Sequence, residues 1–167
     1  RDADAERLSR MRWLLVLDAW PEVRTPTEAW LAADGEGRPL VLAHGTGHDV
    51  PPIAANESRT IHAVLAGRID NQKELRASLA ARHGLTGNDD AELVVHLYEE
   101  RGLQCVNALR GAFALAVWDA RRRLLLIARD QLGLVPLYYS VEGARLAASS
   151  SLPPLAALPG LGANWDA

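Results

Sequence analysis

Cysteine is almost missing from this chain. Cys105 is the only one, which rules out an intrachain disulfide and a structural zinc site of paired thiolates. The redox compartment stays open and is compatible with cytosol. Long apolar runs are missing as well. A membrane helix needs about 20 apolar residues in a row, whereas the run near the start, WLLVL at 13–17, stops at Asp18 with no small-residue cleavage site behind it. Neither a membrane span nor a signal peptide is expected, and a cytoplasmic location is. Charge of one sign is lacking too: 18 Lys and Arg against 21 Asp and Glu leave a formal net charge of −3, too weak a field to hold a nucleic acid or an anionic membrane. Lysine is represented by Lys73 alone, beside abundant arginine, alanine and leucine. That fits a GC-rich coding bias and says nothing about function.

What is present suffices for a core. With 167 residues, 49% of them hydrophobic, a single domain buries roughly two-thirds of its unfolded surface. Residues 1–10 are polar without an apolar face and read as a leader, ahead of a first strand at about 11–19. A hairpin follows, 28–33 and 39–44, around the turn Asp34-Gly35-Glu36-Gly37. A Gly- and Pro-rich loop at 45–58 leads to a strand at 59–65, where Ile61, Ala63 and Leu65 alternate with Thr60, His62 and Val64. Helices are predicted at 72–82, with Asn71 as N-cap and Leu75 and Leu79 on one face, and at 91–101, capped by Asp89 or Asp90 and stopped by Gly102. The second carries Leu93, Val94, Leu97 and Tyr98 as a stripe at helical spacing. From 113 the pattern is β again: 113–118, a turn at 119–122, then 123–129, 137–141 and 145–149, read as an antiparallel meander. Strands, two helices, then strands argue for an α+β class with segregated layers rather than alternating βαβ units. The tail at 151–167 is rich in Pro and Gly and reads as a helical turn running into a linker.

Four stretches in order carry a resemblance. GRIDNQKELR at 67–76, DDAELVVHLYEERG at 89–102, CVNALRGAFALAVWDARRRLLLIARDQLGLVPLYY at 105–139 and LAAS at 146–149 resemble successive blocks of the class II glutamine amidotransferase domain of asparagine synthetases, over about 60–158. The GRIDN wording is more similar to the asparagine synthetase-related ATP ligases, the lasso-peptide cyclases and, more distantly, the β-lactam synthetases. The resemblance implies a four-layer αββα sandwich of the N-terminal-nucleophile hydrolase type, two antiparallel sheets between helices. It places the amidotransferase-like domain at 11–150 and a linker toward a synthetase domain at 151–167.

The same resemblance shows what chemistry is missing. In an active member the first residue is a cysteine whose thiolate attacks the glutamine amide, with its own α-amine as base. The matching position falls near Met11, where a thioether cannot attack a carbonyl, and the ten preceding residues put the α-amine at Arg1. An N-terminal serine serves in other branches, but nothing in the sequence supports a cut that would expose Ser9. Hydrolysing members carry an Asn-Gly pair that donates to the oxyanion; here the positions hold Ala66 and Gly67, and losing one such donor typically costs about a hundred- to a thousandfold in rate. The substrate-carboxylate arginine should lie near 41–48, and VLAHGTGH has none. Asp90 matches the acidic residue that holds the substrate amine, although a helix N-cap explains it without a ligand. No catalytic residue is therefore assigned, and Ala66, Gly67 and Asp90 are read as a relict glutamine pocket.

Other residues take structural readings. Cys105 is expected to be a buried thiol. His44 and His48 are four apart, but in a Gly-rich segment without a third ligand, and His62, His83 and His96 read as single polar positions, so no metal site is expected. Arg129 and Asp130, ahead of the corner containing Gly133 and Pro136, are expected to pin the turn, and Arg121 to Arg123 to form a solvated basic turn. Tryptophans 13, 20, 30, 118 and 165 are read mostly as core. The Ser-Gly-Gly-x-Asp-Ser loop by which the ligase half of the family binds ATP does not occur, so no cofactor is expected here, and ATP and Mg belong to a synthetase domain. The expected function is a degenerate, scaffold-type amidotransferase-like domain of an ATP-dependent amide ligase of the lasso-peptide cyclase type. Its expected partners are a synthetase domain or subunit and, as a further candidate, a precursor peptide. An active glutaminase and a freestanding small-ligand or peptide-binding module are the alternatives.

Overall fold

In a computed structural model the described residues are 14–17, 30–33, 39–42, 53–87, 89–142 and 145–156. Nine strands are present among them: β1 Leu14–Leu17, β2 Trp30–Ala33, β3 Pro39–Leu42, β4 Ile53–Ala55, β5 Ile61–Ile69, β6 Gly111–Asp119, β7 Leu124–Arg129, β8 Tyr138–Glu142 and β9 Arg145–Ser149. They form two antiparallel sheets, ordered β2-β3-β1-β9-β8 and β4-β5-β6-β7. The helices are α1 Gln72–Leu79, α2 Asp90–Arg101 running into a 3₁₀ segment at Gly102–Ala108, and α3 Leu152–Ala156. The α+β class is as expected.

The β5–β6 pair is the spine, matched from Ile61 opposite Asp119 to Ile69 opposite Gly111. On one face Ile61, Ala63, Leu65, Ile69, Phe113, Leu115 and Val117 join Leu75 and Leu79 of α1, six buried residues of α2 and Cys105 in one core; on the other, Val64, Ala66, Ala114, Ala116 and Trp118 meet Ala148 of β9 between the sheets. Both faces are buried, so the alternation expected for β5 does not hold: Val64 is as inaccessible as Ala63. In α2 every residue from Leu93 to Tyr98 is buried, because β4 and β5 cover one side and α1 and the 3₁₀ segment the other. The last helix, α3, packs on β8 and β9 with Leu155 fully buried.

Several boundaries differ from the sequence reading. The strand expected at 59–65 starts at Ile61 and runs on to Ile69. It continues because Gly67, at φ +101°, passes so close to the Ala112 carbonyl that no Cβ fits between them. The loop at 45–58 contains β4, too short to read from three residues behind two prolines. The helix expected to 82 ends at Leu79, and Asn71 does not cap it by its side chain. Instead, the Asn71 amide donates to the Ala108 carbonyl and accepts from the Arg110 N–H, joining the start of α1 to the entry of β6. Of the two cap candidates for α2, Asp89 is the cap, its carboxylate accepting the Ala91 N–H at 3.0 Å. The expected meander is also divided: β6 and β7 belong to one sheet, β8 and β9 to the other.

The segment between β7 and β8 makes that change of sheet. Asp130 is buried and accepts from the N–H groups of Leu134 at 2.9 Å and Val135 at 3.1 Å. Burial works to raise its pKa, but the backbone donors outweigh it and hold the carboxyl below its ordinary value. Gly133, at φ +67°, is in the left-handed region that favours glycine, with the movable Arg129 guanidinium lying against it. At this corner Asp130 holds the backbone N–H groups of Leu134 and Val135, and Arg129 lies against Gly133. Pro136, exposed, follows it just before β8.

Candidate functional site

The expected pocket residues are spread over the C-terminal half of β5, where Ala66 and Gly67 lie, and the start of α2, where Asp90 touches the last residue of that strand. Ala66 is fully buried and faces the space between the sheets. Gly67 is buried, and its glycine identity is accounted for by its positive φ and by the close Ala112 and Phe113 backbone, without a ligand. Asp90, first residue of α2, reaches back so that its Oδ2 accepts the Ile69 N–H at 2.7 Å. This clamps the start of α2 to the end of β5, a role different from the N-cap considered for it. Its other oxygen, Oδ1, is buried and finds no partner among the described residues. Burial raises the Asp90 pKa, with the Asp89 charge adding to it and the Ile69 N–H opposing. Of the groups placed here, only the Asp90 carboxyl offers a side-chain polar atom.

Around it the start of α2 is held by Arg76 of α1, whose guanidinium donates to the Asp89 carbonyl and at 3.3 Å to Glu92. Glu92 in turn accepts from Thr86 N–H, Thr86 Oγ1 and Gly87 N–H. Although burial opposes it, these donors and Arg76 lower the Glu92 pKa to about 2.

Cys105 lies in the helix-side core, fully buried, and burial pushes its thiol up to about 11. Ala66 belongs to the opposite face of the same sheet. The only cysteine is therefore protonated, sealed, and separated from the pocket by the sheet itself. Met11, Ser9, His44 and His48 lie outside the described residues, as does the part of VLAHGTGH beyond Leu42. Trp118 is buried as expected, Arg121 to Arg123 are exposed, and the remaining part of the linker assigned to 151–167 beyond α3 is outside the described residues.

Two features escaped the sequence reading. Asn56, placed in a loop, is buried: its carbonyl accepts from the N–H groups of Thr60 and Ile61, and its amide donates to Glu99 at 2.8 Å. It lines a polar cavity of about 260 Å³ with Thr60, Tyr98, Asp119 and Arg122, at the opposite end of β5 from Gly67. His83 and His96, read as isolated, face each other with ring centroids 4.8 Å apart. No spacing rule joins a loop residue to a helix residue 13 positions on, so tertiary packing alone brings them together.

Comparison with known proteins identifies the fold and the lineage. Residues 40–157 match the family model described as a glutamine amidotransferase domain. Asparagine synthetase [glutamine-hydrolyzing] 3 of Bacillus subtilis is 36% identical over 117 residues, 70% of this chain and 19% of that protein. Amidase chyE of Penicillium rubens is 36% identical over 110 residues, 66% of this chain and 16% of its own length. The chain thus spans less than a fifth of these curated relatives. Among solved structures, the glutamine phosphoribosylpyrophosphate amidotransferase of B. subtilis superposes with a TM-score of 0.60 at 16% identity, over 93% of this chain and 39% of that one. No helix among the described residues is long and apolar enough to cross a membrane. The fold is an α+β sandwich of the N-terminal-nucleophile hydrolase type, and the chain belongs to the class II glutamine amidotransferase domain family, related to asparagine synthetases and amidases.

Proposed function

We propose that this domain is a degenerate member of its family, a scaffold that does not hydrolyse glutamine and that supports an asparagine synthetase-like, ATP-dependent amide ligase of the lasso-peptide cyclase type. The observation that carries the reading is the separation of the chain's sole cysteine from its pocket. Cys105 is sealed on the helix side of the sheet and Ala66 stands on the other side, in place of an oxyanion donor. A thiol with a pKa near 11 supplies almost no thiolate at neutral pH, and an alanine methyl stabilises no developing charge. A ligase that takes its amine from a peptide has no use for ammonia. The GRIDN wording at 67–71 and the relatedness to asparagine synthetases support the ligase assignment. The partner is a synthetase domain or subunit, which supplies ATP and Mg, and the ligase's substrate is a precursor peptide.

Glutamate release from glutamine by the purified protein tests the first half: no release above a blank without protein is expected, and a turnover abolished by heat denaturation overturns it. A second reading, a small-ligand module, is favoured by the unpartnered Oδ1 of Asp90. Calorimetric titration with glutamine and asparagine separates the two, since heat that disappears in Asp90→Asn supports the module and an absence of heat supports the scaffold.

A further inference from the structure

The geometry points to a divalent transition-metal site, of the zinc type, formed by His83, His96 and Glu99. We propose that His83 Nδ1, His96 Nδ1 and Glu99 Oε2 are its three protein ligands. Their ligand atoms all lie within 4.8 Å of one another. Glu99 Oε2 is 2.9 Å from His96 Nδ1 and 3.5 Å from His83 Nδ1. Donors at the Zn–N and Zn–O distances of about 2.0–2.1 Å in a tetrahedron stand roughly 3.3 Å apart, close to the two Glu99 distances, so a cation here needs the ligands to draw in only where their separation approaches 4.8 Å.

The surrounding contacts are those a metal site requires. A ligating histidine ordinarily gives its second ring nitrogen to a carboxylate, which fixes the tautomer and orients the ring. The Nε2 of His83 lies 3.0 Å from Glu100 Oε1, and Arg82 holds the same carboxylate. Glu99 is oriented likewise: the Asn56 amide donates to its Oε1 at 2.8 Å, leaving Oε2 for the histidines. Two imidazoles and one carboxylate, with a fourth position for water, are a donor set that favours zinc, cobalt or nickel over magnesium or calcium. His96 is buried on α2, and His83 is on the segment after α1. Metal here would staple α1, α2 and the turn after β4. Six residues of helix, about 9 Å at the helical rise, separate it from Asp90, so it is independent of the relict pocket.

Titration of the purified protein with Zn²⁺ and with Co²⁺ tests the site. One Zn²⁺ per chain with a raised Tm is expected, and Co²⁺ should develop the visible absorption of a tetrahedral centre, while Mg²⁺ and Ca²⁺ give neither. His83→Ala and Glu99→Gln, which leave the buried His96 in place, should abolish binding, and Glu100→Gln should weaken it about tenfold or more. Absence of Zn²⁺-dependent stabilisation and of cobalt absorption overturns the proposal. So does binding that survives in His83→Ala and Glu99→Gln but is lost in a His44→Ala/His48→Ala variant.

Discussion

On the helix side of the β5–β6 pair stand Leu65, Ile69, Phe113, Leu115 and Val117; on the side facing the second sheet stand Val64, Ala66, Ala114, Ala116 and Trp118. The first set is long and meshes with Leu93, Leu97 and Tyr98 of α2. The second is mostly alanine, which lets two sheets approach closely, and its one side-chain polar atom is the buried Trp118 Nε1. The two faces of one hairpin thus differ in kind: one meshes long side chains with a helix, and the other, on which the proposed loss of glutamine chemistry rests, lines the space between the sheets with small ones.

The largest test cuts the helix side. Leu97→Ala empties a fully buried position and should cost about 2–5 kcal/mol of unfolding free energy in urea, a substantial part of the total for a domain of this size. A cost under about 1 kcal/mol would show that this core is loose and that the two faces are not different in kind. Next comes Ala66→Asn, which introduces the amide that the family resemblance implies for an active member. If the space between the sheets is filled, the added amide is overpacked and poorly hydrated, at about 3 kcal/mol, and glutamate release stays at background. A neutral effect on stability would mean that the pocket is still open, and would break the comparison. At the corner joining the two sheets, Asp130→Asn turns an amide N–H toward part of the backbone donors that the carboxylate now accepts from and should cost about 1–2 kcal/mol, read as a lower urea midpoint. Because the Asp130 pKa is depressed, the charge stabilises the fold above the ordinary carboxylate value. That contribution disappears as pH falls through the folded pKa, so the variant and the parent should converge in acid.

Legibility in sequence followed the same division. The turn at Asp119, the corner at Asp130 and Gly133, and the stop at Gly102 are fixed by local backbone demands, and each is where the pattern placed it. The extension of β5 to Ile69 and the burial of Val64 were not legible, because a strand covered on both faces loses its alternation. The transfer of β8 and β9 to the second sheet depends on which edge the chain meets after Val135, information spread over the whole domain. Within the site, Ala66, Gly67 and Asp90 were found by likeness to relatives. The Asp90 contact with the Ile69 N–H, and the meeting of His83 with His96, arise from packing between segments distant in sequence, and no local rule reports them.

The smallest effect sharpens the comparison at the start of α2, where two kinds of carboxylate sit within three residues. Glu92 faces the loop before the helix, and its donors bring its pKa from an ordinary 4.5 to about 2. Asp90 faces the end of β5, and burial moves its pKa the other way. The signs follow from proton linkage. A depressed folded pKa gives stability that is complete above 4.5 and is lost as pH falls toward about 2. A raised one penalises the folded state once the carboxyl ionises, so its protonation favours folding as pH falls through the raised value. In the parent the two opposing slopes partly cancel. Glu92→Gln removes the first and leaves the second, so the variant should be less stable than the parent near neutral pH by a small margin that shrinks steadily in acid. Thermal melts of both proteins between about pH 7 and pH 3.5 measure it. A gap that stays constant over that range would show that Glu92 ionises alike in folded and unfolded chains, and that the clamp on Thr86 and Gly87 holds the loop by shape and not by charge.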